Sequence, residues 1–375
     1  MKIAVVHNII TPYRVDLFNT VAKFCTHHNI KFKVFYEALK EKRRSWNIKD
    51  FKLEHEYEIL ESVALRLKGK EIYFNINFIN QLRKYDPDVL IVGGFSFSAL
   101  QSCIYCYFFK KKMIIWSDSI GIEKLRLRSL WRRFLVKRAH SFIASGTLAK
   151  EYLLSLGAAS NKVYISWLTF DVKTFSQKVS EFREVKEKIK KKLGINEKLI
   201  ILFSGRLVKH KGIYLLIDIF KKLQEVNNDV GLLILGDGPE RDSLKAYSKN
   251  LKVYLVGFIQ PKDLPRYFAI ADLFLFPTLK DQWGIVINEA ISAGLPVIVS
   301  KFAGAAHDLV INEFNGYIVD PFDVEKVAVL INDLLKNAEL MIRMGQNSSL
   351  VSRNFAIEKA ANDFLKAAKS ILSQL

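Results

Sequence analysis

Cysteine is scarce in this sequence, whose 375 residues include three, at positions 25, 103 and 106. This odd number, behind an N-terminus that does not resemble a secretion signal, argues against a disulfide-stabilised secreted domain. Cys103 and Cys106 have the spacing of a metal-binding or redox pair, but no second pair accompanies them and the segment reads as an apolar helix. We therefore expect a reducing compartment, cysteines buried in a core, and no metal site.

Long uncharged stretches are also rare, and the exception is residues 89–109, which carry no charged side chain. That length is sufficient to cross a bilayer. Two glycines at 93 and 94 interrupt the run after a strand-like segment, and serine and glutamine dilute the helix that follows. We interpret the segment as a strand, a turn and a helix of an α/β domain, with a membrane span as the alternative.

Acidic residues are outnumbered, with 38 Asp and Glu against 57 Lys and Arg. Residues 1–150 carry 27 basic and 13 acidic side chains and so hold +14 of the net charge of +19. The densest segment, residues 125–138, alternates cations with Leu, Trp and Phe, as expected of a helix at an anionic membrane surface. A solvated helix face is the alternative. No nucleic-acid-binding motif accompanies the charge, so we expect no nucleic acid partner.

Short apolar runs alternate with helical patterns along the whole chain, which predicts parallel sheets covered by helices. The predicted strands are 3–6, 32–36, 89–92, 113–116, 141–144 and 163–166, then 199–203, 231–235, 253–256, 273–276, 297–299 and 316–319. The length indicates two domains. We place them at 1–175 and 199–355, separated by a charged linker and surface helix at 176–198 and followed by a C-terminal helix at 356–375.

The most informative motif contains two carboxylates, Asp281 and Glu289, with Gly284 and an apolar helical run between them. The preceding strand places Asp281 in a loop, and Gly284 then begins a helix. The N–H groups at the start of a helix attract phosphate, and carboxylates accept hydrogen bonds from sugar hydroxyls. The motif therefore indicates a site for a nucleotide-sugar.

Other candidate residues share a position just after a predicted strand, where open α/β sheets bind ligands. They are Gly205, Arg206 and Lys211 after 199–203, Gly236 after 231–235, and Phe258 and Ile259 after 253–256. Arg206 can bind two phosphate oxygens as a fork, and Lys211 supplies a point charge.

At these residues the chain resembles the retaining family 4 glycosyltransferases of the GT-B fold, the glycosyl transferases group 1. Their signature is Glu, seven residues, Glu, an apolar helix and Gly-x-Pro-Val, and here Asp281 replaces the first Glu. The resemblance implies two doubly wound Rossmann-like domains that face a cleft, with the last helix crossing back to the first domain. It also implies a nucleotide-diphosphate sugar as donor, with neither a metal nor another cofactor.

The resemblance assigns a role to each candidate of the second domain. Arg206 and Lys211 would hold the donor diphosphate and stabilise the leaving nucleotide. Glu289 would bind the ribose hydroxyls, and Asp281 would lie near the donor sugar. The remaining nucleotide-binding positions are Gly205, Gly236, Phe258, Ile259, Gly284, Ile285 and Val286, the last three through amides that face the β-phosphate.

The first domain departs from the family pattern. Many members carry a His after one strand of this domain, whereas here Ser117 and Asp118 follow the strand 113–116. These two residues are acceptor-side candidates. Arg14, which follows Pro12-Tyr13 at the start of a helix, is a third and suits an anionic acceptor; an exposed helix residue is its alternative.

Together these features predict a retaining hexosyltransferase that is cytoplasmic and peripheral at the inner face of the cell membrane. Its acceptor would be a glycan or a lipid-linked glycan, such as a lipopolysaccharide core, in cell-envelope polysaccharide synthesis. The alternatives are a sugar-nucleotide-binding subunit without turnover, a basic membrane-surface scaffold, and a GT-B epimerase. Transfer or hydrolysis of a donor would exclude the subunit without turnover. A detectable donor site would exclude the scaffold, and donor conversion without an acceptor would indicate the epimerase.

Overall fold

The computed structural model describes residues 1–39, 41, 46–67, 70–121 and 126–371, with the backbone alone for residues 66, 67, 70, 72 and 126–128. The chain divides into two compact units. Unit 1 comprises Met1–Phe170 and Ile357–Leu375, and unit 2 comprises Asp171–Ala356. Each unit contains its own parallel β-sheet flanked by helices, so the predicted α/β class with two Rossmann-like domains is confirmed.

Within the described part of residues 1–170, unit 1 has nine strands and five α-helices. The strands are β1 Lys2–Ile9, β2 Lys31–Ala38, β3 Glu56–Ile59, β4 Ser62–Leu67, β5 Lys70–Asn75, β6 Val89–Gly93, β7 Lys112–Ser117, β8 Ser141–Ala144 and β9 Val163–Ile165. The helices are α1 Pro12–His27, α2 Phe78–Tyr85, α3 Phe97–Phe108, α4 Arg126–Arg138 and α5 Thr147–Ser155. Seven strands form a parallel sheet in the order β3-β2-β1-β6-β7-β8-β9, and β4 pairs antiparallel with β5.

Strand β1 lies inside this sheet, paired with β2 on one side and β6 on the other. Its residues 3–6 are all buried because helices cover both faces, which is why the run is continuously apolar. The order of strands reverses between β1 and β6, which creates a crevice at their carboxyl ends.

Unit 2 contains six strands and nine helices. The helices are α6 Val172–Arg183, α7 Lys186–Lys192, α8 Ile213–Val226, α9 Arg241–Tyr247, α10 Pro265–Phe268, α11 Ile285–Ser292, α12 Ala306–Leu309, α13 Val324–Lys336 and α14 Ala338–Arg353. The strands are β10 Leu199–Ser204, β11 Val230–Leu235, β12 Val253–Gly257, β13 Leu273–Phe276, β14 Val297–Ser300 and β15 Gly316–Val319. All are parallel, in the order β12-β11-β10-β13-β14-β15, so this sheet reverses its order between β10 and β13.

The last helix, α15 (Ile357–Ser370), belongs to unit 1 and packs against α1, β8 and β9. Phe364 is fully buried, and its ring lies edge-on to Trp116 of β7 with 5.1 Å between ring centroids. The hydroxyl of Ser166 donates a hydrogen bond of 2.9 Å to the carbonyl of Ala360. The helix therefore completes the core on one face of the unit 1 sheet.

The segment predicted as a charged linker and a surface helix is largely helical in the structure, where α7 agrees with the predicted surface helix and α6 takes the place of the linker. Residues 172–192 form α6 and α7, because apolar side chains on one face of α6 are buried in unit 2 while its charged side chains stay outside. Phe175, for example, lies 5.5 Å from Phe268 between ring centroids. The β4–β5 hairpin was not among the predicted strands.

The uncharged residues 89–109 form β6, a turn and α3, as predicted. Within the described ranges, no helix has both the length and the apolar character that crossing a membrane requires.

Candidate active site

The loop after β10 is held against the end of β11 by two glycines. The amide of Gly205 donates to the carbonyl of Leu235 at 2.9 Å. Gly236 has a φ of 136°, and a Cβ at this position would overlap the carbonyl of Gly205. The predicted residues Gly205 and Gly236 thus come together, and only a glycine at 236 allows this approach.

Lys211 ends a single 3₁₀ turn, Lys209–Lys211, in the same loop. The carbonyl of His210 accepts hydrogen bonds from the amide of Leu279 at 2.9 Å and the hydroxyl of Thr278 at 3.1 Å. These bonds tie the turn to the segment that follows β13. As a result Lys211 Nζ forms an ion pair with Asp281 Oδ2, so two of the predicted residues are in direct contact.

Helix α11 starts beside this ion pair. Gly284 precedes it with a φ of 94°, and a Cβ there would lie 3.5 Å from Asp281 Oδ2. Helix α11 has eight residues, and the first-turn amides of any helix lack intrahelical acceptors. The amides of Ile285 and Val286 are therefore available to an anion, next to the Lys211 ammonium group.

Glu289 lies in the second turn of α11, and its Oε2 is buried without a hydrogen-bond partner among the described residues. Burial raises the pKa of Glu289 to about 8. The carboxyl group is therefore largely protonated at neutral pH. A ligand hydroxyl would supply the partner that Oε2 lacks.

Arg206 is exposed in the loop after β10. The pKa of His210 is lowered by burial first and then by the charge of Lys211, while Asp281 raises it and Arg206 lowers it further. The charges of Lys211, Asp281 and Arg206 therefore all act on the His210 side chain. Phe258 and Ile259 follow β12, where Phe258 is exposed and Ile259 partly exposed.

The acceptor-side candidates lie in unit 1, and two of them are buried. Ser117 ends β7, and its hydroxyl accepts a hydrogen bond from the amide of Ser119 at 3.2 Å. Arg14 is buried in the first turn of α1, so the alternative of an exposed helix residue is wrong. Its guanidinium carbon lies 3.8 Å from the centroid of the Trp116 ring. Asp118 is near enough for its charge to act on the pKa of Arg14.

Sequence reasoning missed His7 and Glu37. The family pattern places a histidine after β7, whereas here His7 of β1 lies beside Trp116, with 5.9 Å between ring centroids. Burial, and then the charge of Arg14, lower the pKa of His7 to about 3, so its ring is neutral. The available signal was position, because His7 and Glu37 stand near the carboxyl ends of β1 and β2.

Across the ranges that the structure describes, no group of three or more His, Cys, Asp or Glu side chains could hold a metal ion. Cys103 and Cys106 are buried, as expected, and Cys25 is buried as well. That catalysis needs no metal stays a prediction.

Comparison with solved structures supports the fold class. Anabaena HepE in complex with UDP matches with a TM-score of 0.78 at 19% sequence identity, over 99% of this chain and 100% of that one. At this identity the match establishes the fold alone, which is the GT-B arrangement of two Rossmann-like domains.

Comparison with known sequences points to the same class. The family model described as Glycosyl transferases group 1 matches residues 185–351. Spore coat protein SA of Bacillus subtilis is 31% identical over 225 residues, which is 56% of this chain and 59% of that protein. The capsular polysaccharide biosynthesis glycosyltransferase CapM of Staphylococcus aureus is 30% identical over 188 residues, 47% of this chain and 49% of that protein. The chain thus spans about half the length of these relatives.

Proposed function

We propose that this protein is a retaining family 4 glycosyltransferase that transfers a hexose from a nucleotide-diphosphate sugar. The observation that carries the proposal is the meeting of Lys211, Asp281 and the N-terminus of α11 where the unit 2 sheet reverses its order. A cation beside free helix amides is an arrangement that binds a diphosphate. The UDP bound to the related fold of HepE supports a nucleotide as the ligand.

Each residue then has a role in the departure of the nucleotide. Lys211 and Arg206 stabilise the negative charge that develops on the leaving diphosphate, and the amides of Ile285 and Val286 add to this effect. Glu289 forms hydrogen bonds with the ribose hydroxyls, as an acceptor when ionised and also as a donor when protonated. Asp281 positions Lys211 and lies beside the donor sugar. The acceptor hydroxyl attacks from the face that the nucleotide leaves, which retains the anomeric configuration.

We further propose that the acceptor is a glycan or lipid-linked glycan at the inner face of the cell membrane, in cell-envelope polysaccharide synthesis. The names of CapM and of the lipopolysaccharide outer core galactosyltransferase WaaB, a structure with a TM-score of 0.73, support this setting. A lipopolysaccharide core is one acceptor of this kind.

A surface of unit 1 suits a peripheral position at that membrane. Helices α3 and α4 contact each other, and both expose apolar side chains, while α4 also exposes Arg133. We call this the aromatic-basic face and define it as Tyr107, Phe108, Leu130, Arg133 and Phe134. Aromatic side chains enter the interfacial layer of a bilayer while cations bind its anionic headgroups. Of the basic segment predicted at 125–138, Leu125 lies outside the described residues.

A thermal-shift screen with UDP-, GDP- and ADP-sugars tests the donor site, because a ligand that binds only the folded state raises its melting temperature. We expect a shift with one nucleotide. Glu289→Ala should lose that shift, and the exposed control Glu339→Ala should keep it. NMR of the transfer product then reads the anomeric configuration. No shift with any nucleotide would favour the membrane scaffold, and a shift without transfer or hydrolysis would favour a binding subunit.

A further inference from the structure

A pocket of about 450 Å³ lies in unit 1, at the crevice where the order of its strands reverses. Its lining includes His7 of β1, Gly93 of β6 and Trp116 of β7, together with Arg14 of α1 and Glu37 of β2. We call it the unit 1 pocket. Open α/β sheets bind ligands at such crevices, and the volume accommodates a sugar unit.

Arg14 is a buried cation with unused donors in this pocket. The residue is 4% exposed, and its Nε and Nη1 are buried without a hydrogen-bond partner within the described ranges. Its guanidinium carbon lies over the Trp116 ring, which makes a cation–π contact. A buried charge with unpaired donors is costly and rare, so a ligand acceptor is the expected partner.

The pocket around Arg14 contains charged side chains of both signs. His7 is neutral, as its lowered pKa requires. Asp118 acts on Arg14 through its charge but accepts no hydrogen bond from Nε or Nη1. Arg132 also lines the pocket and donates a hydrogen bond of 2.8 Å to the hydroxyl of Tyr152. Glu71 accepts a hydrogen bond of 2.7 Å from the hydroxyl of Tyr73.

Glu37 provides a polar surface of a different kind in the same pocket. Its carboxyl group accepts a hydrogen bond from the hydroxyl of Ser98, which accepts one of 2.6 Å from Nδ2 of Asn75. Burial raises the pKa of Glu37, and its hydrogen bonds oppose this shift. A carboxyl group held by such a network is suited to hydrogen bonds with sugar hydroxyls.

We propose that the unit 1 pocket binds an anionic sugar, with Arg14 contacting its carboxylate or phosphate group and Glu37 its hydroxyl groups. That this sugar belongs to the acceptor rests on the proposed function, whereas the binding itself does not. A neutral sugar of the same size leaves Arg14 unpaired and so binds more weakly.

Ligand-observed NMR titration of the full chain tests this proposal with glucuronate, glucose 1-phosphate, glucose and inorganic phosphate. We expect at least one of the two anionic sugars to bind about tenfold or more tightly than glucose. Preference for glucuronate identifies a carboxylate, and preference for glucose 1-phosphate identifies a phosphate. Glucose binding as tightly as both anionic sugars, or inorganic phosphate binding as tightly as glucose 1-phosphate, would overturn the proposal.

Variants locate the binding. Arg14→Gln should abolish the preference for the anion, whereas Asp118→Asn should strengthen it because a competing negative charge is removed. If Arg14→Gln does not fold, Arg14→Lys keeps the charge without the planar fork and should still weaken binding several-fold. Unchanged binding in the folded Arg14 variant would overturn the proposal.

Glu289→Ala distinguishes binding in the unit 1 pocket from binding at the proposed donor site of unit 2. This variant should leave the binding of the anionic sugar unchanged. Anion binding that disappears in Glu289→Ala would place the ligand in unit 2 and overturn the proposal. If the wild type binds a nucleotide-sugar but neither anionic sugar, the pocket proposal fails while the proposed function stands. If the wild type binds an anionic sugar but no nucleotide-sugar, the pocket proposal stands and the proposed donor is wrong.

Discussion

Lys211 and Asp281 form an ion pair that joins the loop after β10 to the loop after β13. Both side chains are 18% exposed, so water screens this pair less than it screens a pair on the surface. Asp281 therefore fixes the position of the ammonium group that we propose binds the donor diphosphate. A bound diphosphate would compete with Asp281 for the same Nζ.

The two partners of this ion pair should differ in their effect on transfer. Lys211→Met removes a cation that stabilises the leaving group, and we expect the transfer rate to fall about 100-fold or more. Asp281→Asn keeps the cation and loses only its positioning, so a fall of roughly tenfold is expected. Initial rates with the identified donor measure both. Lys209→Met, in the same turn but exposed, is the control, and an equal loss in this variant would contradict the assignment.

The raised pKa of Glu289 predicts a dependence of stability on pH. The folded protein keeps a proton up to about pH 8, whereas the unfolded chain releases it above its ordinary pKa of 4.5. The unfolded state thus binds fewer protons in this interval, and stability falls as pH rises, by up to about 1.4 kcal/mol per pH unit.

Urea unfolding of the wild type and Glu289→Gln from about pH 5 to pH 8 measures this effect. The free energy of unfolding of the wild type relative to Glu289→Gln should decline across the interval, since glutamine does not titrate. A constant difference between the two proteins would show that Glu289 has an ordinary pKa.

Two glycines with nearly equal φ allow steric overlap to be separated from backbone strain. Gly212 has a φ of 70°, and a Cβ there would overlap the carbonyl of Pro277, while Gly194 has a φ of 69° and open space around it. Gly194→Ala should cost about 1–2 kcal/mol from the left-handed backbone alone. Gly212→Ala should cost at least about 2 kcal/mol more, as measured by urea unfolding. Similar losses would mean that the two loops do not approach as closely as described.

Phe364 should be essential to the stability of unit 1. Phe364→Ala removes a fully buried ring that packs on Trp116, at an expected cost of about 3–5 kcal/mol in the free energy of unfolding. Denaturation followed by tryptophan fluorescence measures it. Lys366→Ala, on the exposed side of the same helix, should change stability by less than about 0.5 kcal/mol.

The aromatic-basic face should bind anionic vesicles. Phe108, which is 73% exposed, and Arg133 are both replaced in the double variant Phe108→Ser with Arg133→Glu. We expect this variant to sediment with phosphatidylglycerol vesicles about tenfold less than the wild type, because it loses both apolar burial and attraction to the headgroups. The control replaces an exposed apolar and an exposed basic residue of α13 in the same way, Val329→Ser with Lys326→Glu. Equal losses in the two double variants would argue against a specific face.

The sequence allowed the arrangement around Asp281, Gly284 and Glu289 to be predicted because these residues are close along the chain. A strand, a turn and a helix place them, and each is encoded by local pattern. The apolar strands of both sheets were predictable for the same reason, since strands buried on both faces are continuously apolar.

The unit 1 pocket was not predictable in this way. His7, Arg14 and Trp116 meet there from β1, α1 and β7, and only the order of strands brings them together. A pattern search along one segment does not detect contacts over about 100 positions. Helix α6 was not predicted for the opposite reason, because its charged face is conspicuous in the sequence and its few buried side chains such as Phe175 are not.

Helix α15 has a consequence for the order in which this protein is made. During synthesis, residues 1–170 emerge from the ribosome first. The helix that completes the core of unit 1 emerges only after all of unit 2. Until then the core of unit 1 is incomplete, and Trp116 and the α1 surface are not covered by α15. Unit 2 has its whole sequence available before this point. Biogenesis of this chain thus favours the second unit as the first to reach its native structure.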